Sequence, residues 1–127
     1  MSRMPEEYDS NFIQFVELFN QGQYEESHRV LIESWIRNRS NDFYRGLIQM
    51  AGALEHWETD SLFWAEDMFA SAYNLLAKYA PRYQGLDVDA LLNTLQEYNA
   101  AAKRAREQAQ SKHAVALPPI VLKWSSD

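Results

Sequence analysis

The chain has 127 residues, the length of one domain, and its 18 acidic against 12 basic residues give a formal net charge of -6. It contains no cysteine, which excludes disulfides, thiolate zinc sites, iron–sulfur clusters and a cysteine nucleophile. Glycine and proline number four each, so long helices are favoured over a turn-rich β fold. No apolar run reaches the length of a membrane span, and the acidic segment 1–9 is unlike a signal peptide. We therefore expect a cytoplasmic protein with no membrane span.

The first two helices are predicted from apolar residues spaced three and four positions apart. The first helix follows a cap at Asp9 or Ser10 and ends at Gly22, because glycine adopts a left-handed turn at little energetic cost. Its stripe consists of Phe12, Phe15, Val16 and Phe19. The second helix spans about 24–38, and its stripe consists of Tyr24, Ser27, His28, Leu31 and Trp35.

The third helix, at about 42–57, is apolar over most of its circumference, which predicts a central position in the fold. Its main stripe consists of Phe43, Leu47, Met50, Leu54 and Trp57, and an adjacent one of Tyr44, Ile48 and Ala51. Gly46 and Gly52 lie inside this helix, and each costs about 1 kcal/mol relative to alanine. We therefore expect neighbouring helices to approach closely at both glycines.

Two more helices and a tail follow. The fourth helix, at about 61–79, carries Ala65, Met68, Phe69, Ala72, Leu76 and Tyr79 on its core stripe. Pro81 and Gly85 end this region, and Asp87 caps a fifth helix that ends between Ala105 and Gln110. The fifth stripe consists of Leu91, Leu92, Leu95, Tyr98 and Ala102. Pro118 and Pro119 disfavour a sixth helix, so the tail is predicted to be extended.

The first and second helical pairs resemble each other at an offset of 38 residues, which places Phe12 on Met50 and Val16 on Leu54. The segment 22–27 also resembles the turn inside a tetratricopeptide repeat, although the repeat length of about 34 residues is not kept. The predicted fold is all-α: a compact bundle of two TPR-like antiparallel hairpins plus a fifth helix. Residues 1–110 form the single helical domain, and residues 111–127 form an extended C-terminal tail.

Three segments of the sequence together resemble a known family. They are FNQGQYEESHRVLIESW at 19–35, GLIQMAGALEHW at 46–57 and GLDVDALL at 85–92. They resemble the uncharacterised domain-of-unknown-function family numbered 309, whose members are small all-α proteins with no established activity. The resemblance covers about residues 12–98 and implies a compact helical bundle. The family's second helix has roughly the pattern Glu-x-His-Glu-x-x-Glu ending in Trp, which Glu26, His28 and Trp35 match, whereas Arg29 and Ile32 replace the two later acids.

The residues most suited to a metal or acid–base site are two histidines and their neighbours. This candidate pocket consists of Glu26, His28, Trp35 and His56. A carboxylate four residues after His28 would share its helix face, but Ile32 occupies that position. Glu26 is only two residues from His28, and His56 joins it only if the hairpins pack face to face. We therefore expect no metal, cofactor or catalytic residue, and expect His28 to hydrogen-bond a buried partner such as Tyr24, Glu55 or a carbonyl.

Other chemistries have less support in the sequence. It has no Gly-x-Ser-x-Gly elbow, no Ser-x-x-Lys pair and no glycine-rich phosphate loop. Basic residues cluster only near the end of the fifth helix, at Lys103, Arg104, Arg106 and Lys112. Four cations are few for phosphate contacts, and the acidic remainder would repel a nucleic acid. We therefore expect no nucleic-acid partner, and interpret the cations as complementing the helix dipole.

Two apolar features are candidates for binding a protein partner. Phe63 and Trp64 are neighbours in the fourth helix and cannot both face one core, so one is either covered by the fifth helix or tail or exposed for a partner. The tail, with Leu117, Ile120 and Trp124, is too apolar for a solvated linker. It packs in cis, with the aromatic pair as its landing site, or docks in trans as an extended peptide. We favour docking in trans.

These observations predict a non-catalytic protein–protein interaction or assembly-factor module that uses a helical groove, its C-terminal tail, or both. Its candidate partner-binding residues are Phe63, Trp64, Leu117, Ile120 and Trp124. The alternative is a small metal-binding or hydrolase-like protein with a site around His28 and His56. A pocket in which the histidines and a carboxylate converge favours chemistry, whereas an open face lined by aromatic side chains favours binding.

Overall fold

The computed structural model describes residues 8–109, 117 and 119–124, and within these residues the chain forms five α-helices and one short β-hairpin. The helices are α1 (Ser10–Asn20), α2 (Tyr24–Arg37), α3 (Asp42–Glu58), α4 (Leu62–Ala77) and α5 (Val88–Glu107). The strands β1 (Arg82–Tyr83) and β2 (Leu86–Asp87) pair in antiparallel register between α4 and α5. The predicted all-α fold is confirmed. Residues 110–116, which include Lys112, and Pro118 lie outside the described residues.

The helix boundaries follow from local capping. Asp9 accepts a hydrogen bond from the backbone amide of Asn11 at 2.9 Å, and Asn41 and Asp87 cap α3 and α5 in the same way. Gly22 has a φ of +80° just after α1, as a glycine at the end of a helix commonly does. The sequence therefore contains local signals for the starts of α1, α3 and α5 and for the end of α1.

The β-hairpin was not predicted. Its two strands are joined by Gln84 and Gly85, whose φ values are +45° and +80°, the positive pair that a tight two-residue hairpin turn requires. Each strand has only two residues, which is too short to show an alternating pattern. The sequence consequently shows only the breakers Pro81 and Gly85.

The helices pack in chain order, each against the next, with α3 in the interior. Ten of its 17 residues are buried, more than in any other helix, which confirms its predicted central position. Phe43 of α3 contacts Phe12 of α1, with 5.9 Å between ring centroids, and Trp57 contacts Tyr98 of α5 at 5.4 Å. The aromatic side chains of α3 therefore join the first and last helices. No helix in the described part of the chain is long and apolar enough to cross a bilayer.

The two glycines of α3 differ in what approaches them. A β-carbon at Gly46 would lie 2.7 Å from Cγ of Leu76 and 3.2 Å from Cβ of Leu75, so α4 itself comes close there. A β-carbon at Gly52 would meet only the end of the Met68 side chain, with Cε at 2.5 Å. Close approach of a neighbouring helix is therefore found at Gly46, whereas Gly52 faces a flexible thioether.

The buried face of α2 differs from the predicted stripe. It consists of Ser27, Leu31 and Ser34, while Tyr24, His28 and Trp35 are only partly buried. Asn11 of α1 donates a hydrogen bond to Oγ of Ser34 at 3.1 Å. Small serines leave room for α1, and this displaces the large side chains to the edge of the core. Trp35 is therefore a peripheral contact and not a central anchor.

The described part of the tail is extended and packs in cis. Ile120 and Leu122 are only 3% and 4% exposed, and Leu117 and Trp124 are partly buried against the core. The expectation of docking in trans is therefore wrong for these residues. The expected cis landing site is also wrong, because Trp124 stacks on Tyr8, with centroids 6.0 Å apart, and not on Phe63 or Trp64.

A polar clamp holds the tail against the end of α1. The side chain of Asn20 donates a hydrogen bond to the backbone carbonyl of Leu122 at 2.9 Å and accepts one from the backbone amide of Leu122 at 2.8 Å. The side-chain amide of Asn20 thus pairs with the backbone of Leu122 as a residue of a neighbouring strand would. The backbone of Trp124 also forms an isolated antiparallel β-bridge with Leu86 of β2, so the tail lies beside the small sheet.

Candidate functional site

His28 is paired with a carboxylate on the neighbouring helix. Its Nδ1 lies 3.0 Å from Oε2 of Glu55, and the two side chains are about one-third exposed. Glu55 was among the predicted partners, and the structure selects it over Tyr24 or a carbonyl. The pair joins α2 to α3 at the edge of the core.

The other residues of the predicted pocket do not join this pair. Glu26 is exposed, and no hydrogen bond or ion pair links it or His56 to His28. His56 follows Glu55 directly, and successive helical residues point about 100° apart. Within the described residues, no group of three histidine, aspartate or glutamate side chains is arranged to hold a metal ion.

Trp35 contributes a different feature to this region. Its indole Nε1 is buried without a hydrogen-bond partner, and the guanidinium of Arg39 lies 5.6 Å from the ring centroid. The indole of Trp35 is therefore covered by a cation from the turn that follows α2. It packs against the core, and the hydrogen bond of His28 goes to Glu55 and not to Trp35.

A groove runs along the outer surface between α4 and α5. Two adjoining cavities of about 170 and 330 Å³ form it, and both are lined by Ala70 of α4 and Asn99 of α5. The side chain of Asn99 donates a hydrogen bond to the backbone carbonyl of Glu66 at 2.8 Å, and Arg106 forms an ion pair with Glu66 at 2.7 Å. These contacts fix the spacing of the two helices, so the groove is a preformed surface.

The predicted aromatic pair lies at one end of this groove. Phe63 and Trp64 are 58% and 56% exposed and contact each other edge to face, with centroids 5.2 Å apart. Phe63 lines the wider cavity, and the guanidinium of Arg106 lies 5.9 Å from its ring centroid. Of the two alternatives for this pair, exposure is therefore found for both residues.

The charges around the groove balance locally, although the chain as a whole is acidic. Glu66 and Arg106 form an ion pair with each other. The wider cavity is also lined by Asp67 on α4 and Lys103 on α5, and neither side chain has an ion pair within the described part of the chain. One acid row and one basic row thus face each other across the groove.

Beneath this surface, Tyr98 holds α5 against the core. Its side chain is 4% exposed and contacts Trp57 and Phe69, each with 5.4 Å between centroids. Burial, with smaller contributions from Tyr24, Glu58 and Glu97, raises the pKa of Tyr98 from 10.0 to about 12. Burial and Glu58 likewise raise the pKa of Tyr24. The neutral phenol of Tyr98 is therefore part of the packing that supports the groove.

The sequence analysis expected a helical groove but did not place it between α4 and α5. The stripe formed by Phe63, Asp67, Ala70 and Asn74 has helical spacing and is exposed along α4. Only its first member is a large apolar residue, so a search for apolar stripes passes over it. Asking which face of α4 remains after the core stripe is assigned would have identified it.

Comparisons with known proteins give a match to a family. No curated protein and no solved structure matches the chain. A family match covers α1, α2, α3 and the first turn of α4, and thus includes Phe63 and Trp64 but none of α5. Residues 12–66 match a domain of unknown function, DUF309, which confirms the predicted resemblance over these residues; the segment 85–92 lies outside the match.

Proposed function

We propose that the protein is a non-catalytic interaction module, of the kind found in assembly factors, in which TPR-like hairpins present the α4–α5 groove to a helix of a protein partner in the cytoplasm. The observation that carries this proposal is the exposure of Phe63 and Trp64, at 58% and 56%. Two adjacent aromatic side chains left in water beside a groove are characteristic of an interaction surface. The tail is not part of this proposal, because its described residues pack in cis.

The groove has the features that helix docking requires. Aromatic anchors contribute most of the binding energy in many interfaces, and burying each of these side chains is worth roughly 1.5–3 kcal/mol. Ala70 is small and exposed midway along α4, so an incoming helix can approach closely there. Helix-in-groove recognition places apolar residues three, four and seven positions apart against such a surface.

Site-specific photo-crosslinking in cells tests the proposal. A benzophenone amino acid at position 63 should form adducts with a protein, because this side chain lines the groove. The matched control is the same amino acid at position 36, since Ile36 is similarly exposed, at 51%, but lies on α2. The absence of protein adducts at position 63, or the same adducts at both positions, would contradict the proposal.

The alternative is a metal-binding or hydrolase-like site at His28. The observation in its favour is the pair with Glu55, since a carboxylate on one imidazole nitrogen orients the other nitrogen for proton transfer or metal binding. One zinc or manganese ion per chain in protein purified without a histidine tag would favour this alternative.

A further inference from the structure

We infer that the partner on the α4–α5 face is a second copy of this chain, docked about a two-fold axis that runs along the groove. The inference rests on the proposed function, because it names the partner of the same surface, with α4 and α5 of the second copy as the docked helices in place of a single helix in the groove. It starts from Asp67 and Lys103, which line the same cavity from opposite walls and have no ion pair within the described residues. A surface that carries unpaired opposite charges on its two sides is complementary to itself.

The position of the axis follows from the direction of the helices. The ion pair between Glu66, early in α4, and Arg106, late in α5, shows that the two helices are antiparallel. A two-fold axis parallel to both helices and midway between them lays α4 of each copy on α5 of the other. Asp67 then faces Lys103 of the second copy, and Lys103 faces Asp67 of the second copy. Both unpaired charges are satisfied in one arrangement, as an isologous interface requires.

The same axis accounts for the exposed ring of Phe63. Phe63 lies on the groove side of α4, since it lines the cavity and contacts Arg106. A two-fold axis along the groove therefore places Phe63 next to Phe63 of the second copy. Contacts between aromatic rings stabilise interfaces beyond the area that they bury, so the exposed ring gains an apolar contact at one end of the dimer interface.

Overall charge determines which face can associate. The chain has a net charge of -6, so most approaches of one copy to another are repulsive. The groove is an exception, because its two acids, Glu66 and Asp67, are matched by two bases, Lys103 and Arg106. Self-association is thus least opposed at the face that also exposes the aromatic pair.

The size of the face sets the expected affinity. The 16 residues of α4 form a helix about 24 Å long, and two helices side by side are about 20 Å wide. A face of roughly 500 Å² is smaller than the 800 Å² or so per partner in a standard interface. We therefore expect a reversible dimer with a dissociation constant in the micromolar range.

Charge exchange at Asp67 and Lys103 tests this inference by sedimentation equilibrium of the full chain. Asp67→Lys should weaken the dimer at least tenfold, because two lysines then face each other in each of the paired positions. Lys103→Glu should weaken it similarly, because two acids then face each other. An equimolar mixture of the two variants should associate like the wild type, since each lysine then faces an acid on the other copy. Glu33→Lys, on the exposed face of α2, is the control and should leave the dissociation constant unchanged.

The outcomes separate this inference from the proposed function. A wild-type chain that stays at its monomer mass of 14.8 kDa up to about 1 mM, or variants that do not associate on mixing, would overturn the inference. If position 63 still crosslinks a different protein, the proposed function stands without the second copy. Circular dichroism of each variant verifies that a loss of association is not a loss of folding.

Discussion

At the scale of single residues, the core contains polar groups whose state matters for stability. Tyr98 is the clearest, because its phenol is buried among Trp57 and Phe69 and has a pKa raised to about 12. Trp35 illustrates the opposite case, since an apparent anchor on the sequence stripe lies at the edge of the core. A large side chain on an apolar stripe is therefore not always deeply buried. In α2 the smaller residues Ser27 and Ser34 lie at the contact with the neighbouring helices instead.

Alkaline titration should reveal the buried phenol of Tyr98. The folded state keeps a proton that the unfolded chain releases above pH 10, so the stabilisation is fully present below pH 10 and is lost as pH rises through about 12. Urea unfolding of the wild type should lose roughly 1.4 kcal/mol from this group between pH 9 and pH 11. The free energy of unfolding of Tyr98→Phe should fall by about 1.4 kcal/mol less than that of the wild type between pH 9 and pH 11, because phenylalanine has no proton to release. If the free energies of unfolding of the two proteins change with pH in the same way, the pKa of Tyr98 is not raised.

At the scale of helices, the close packing of α3 against α4 depends more on Gly46 than on Gly52. Gly46 admits α4 to within contact of α3, whereas Gly52 meets only the end of the Met68 side chain. Alanine in place of a helical glycine gains about 1 kcal/mol of helix propensity. Whether this gain is realised depends on the contact that the added methyl group makes.

Alanine substitutions at the two glycines should therefore have opposite effects. Gly46→Ala forces Leu75 and Leu76 outward, so the free energy of unfolding should fall by about 1–2 kcal/mol after the propensity gain is subtracted from the cost of overpacking. Gly52→Ala should leave stability unchanged or raise it by up to about 1 kcal/mol, because the Met68 side chain can adopt another rotamer. Urea unfolding at one pH compares the two variants, and a change of the same sign in both would refute the distinction.

The elements that could be predicted are those with local signals. Caps at Asp9, Asn41 and Asp87 and the apolar stripes of α1, α3 and α5 are all contained in short stretches of sequence. The hairpin and the docking of the tail depend on contacts between distant segments, which a single sequence does not show. The candidate site divides in the same way. The adjacency of Phe63 and Trp64 indicated only that one of them is either covered by another segment or exposed, and the groove arises only when α5 packs beside α4.

At the scale of the whole molecule, the tail completes the fold. Residues 119–124 lie against α1 and β2, with Ile120 and Leu122 buried and the backbone of Leu122 held by Asn20. The apolar residues that made the tail resemble a docking peptide thus find their contacts within the chain. Phe63 and Trp64 stay exposed, and among the described residues they are the two large aromatic side chains that are exposed side by side.

Removing the clamp should loosen the tail selectively. Asn20→Ala deletes both hydrogen bonds to Leu122, which together are worth about 1–3 kcal/mol. Amide hydrogen exchange at Leu122 should accelerate by roughly tenfold or more, while exchange in α3 stays nearly constant. Asn93→Ala, an exposed asparagine on α5, is the control. Unchanged exchange at Leu122 in the Asn20 variant would mean that the clamp does not hold the tail.

The clamp also constrains the order in which the chain folds. Asn20 and Leu122 are separated by 102 positions, so their contact closes a loop that includes α2, α3, α4 and α5. Closing such a loop before α2 to α5 are packed would cost much chain entropy and gain only two hydrogen bonds. Residues 119–124 therefore reach their place last among the described segments, and during synthesis the end of α1 stays uncovered at least until α2 to α5 have been made.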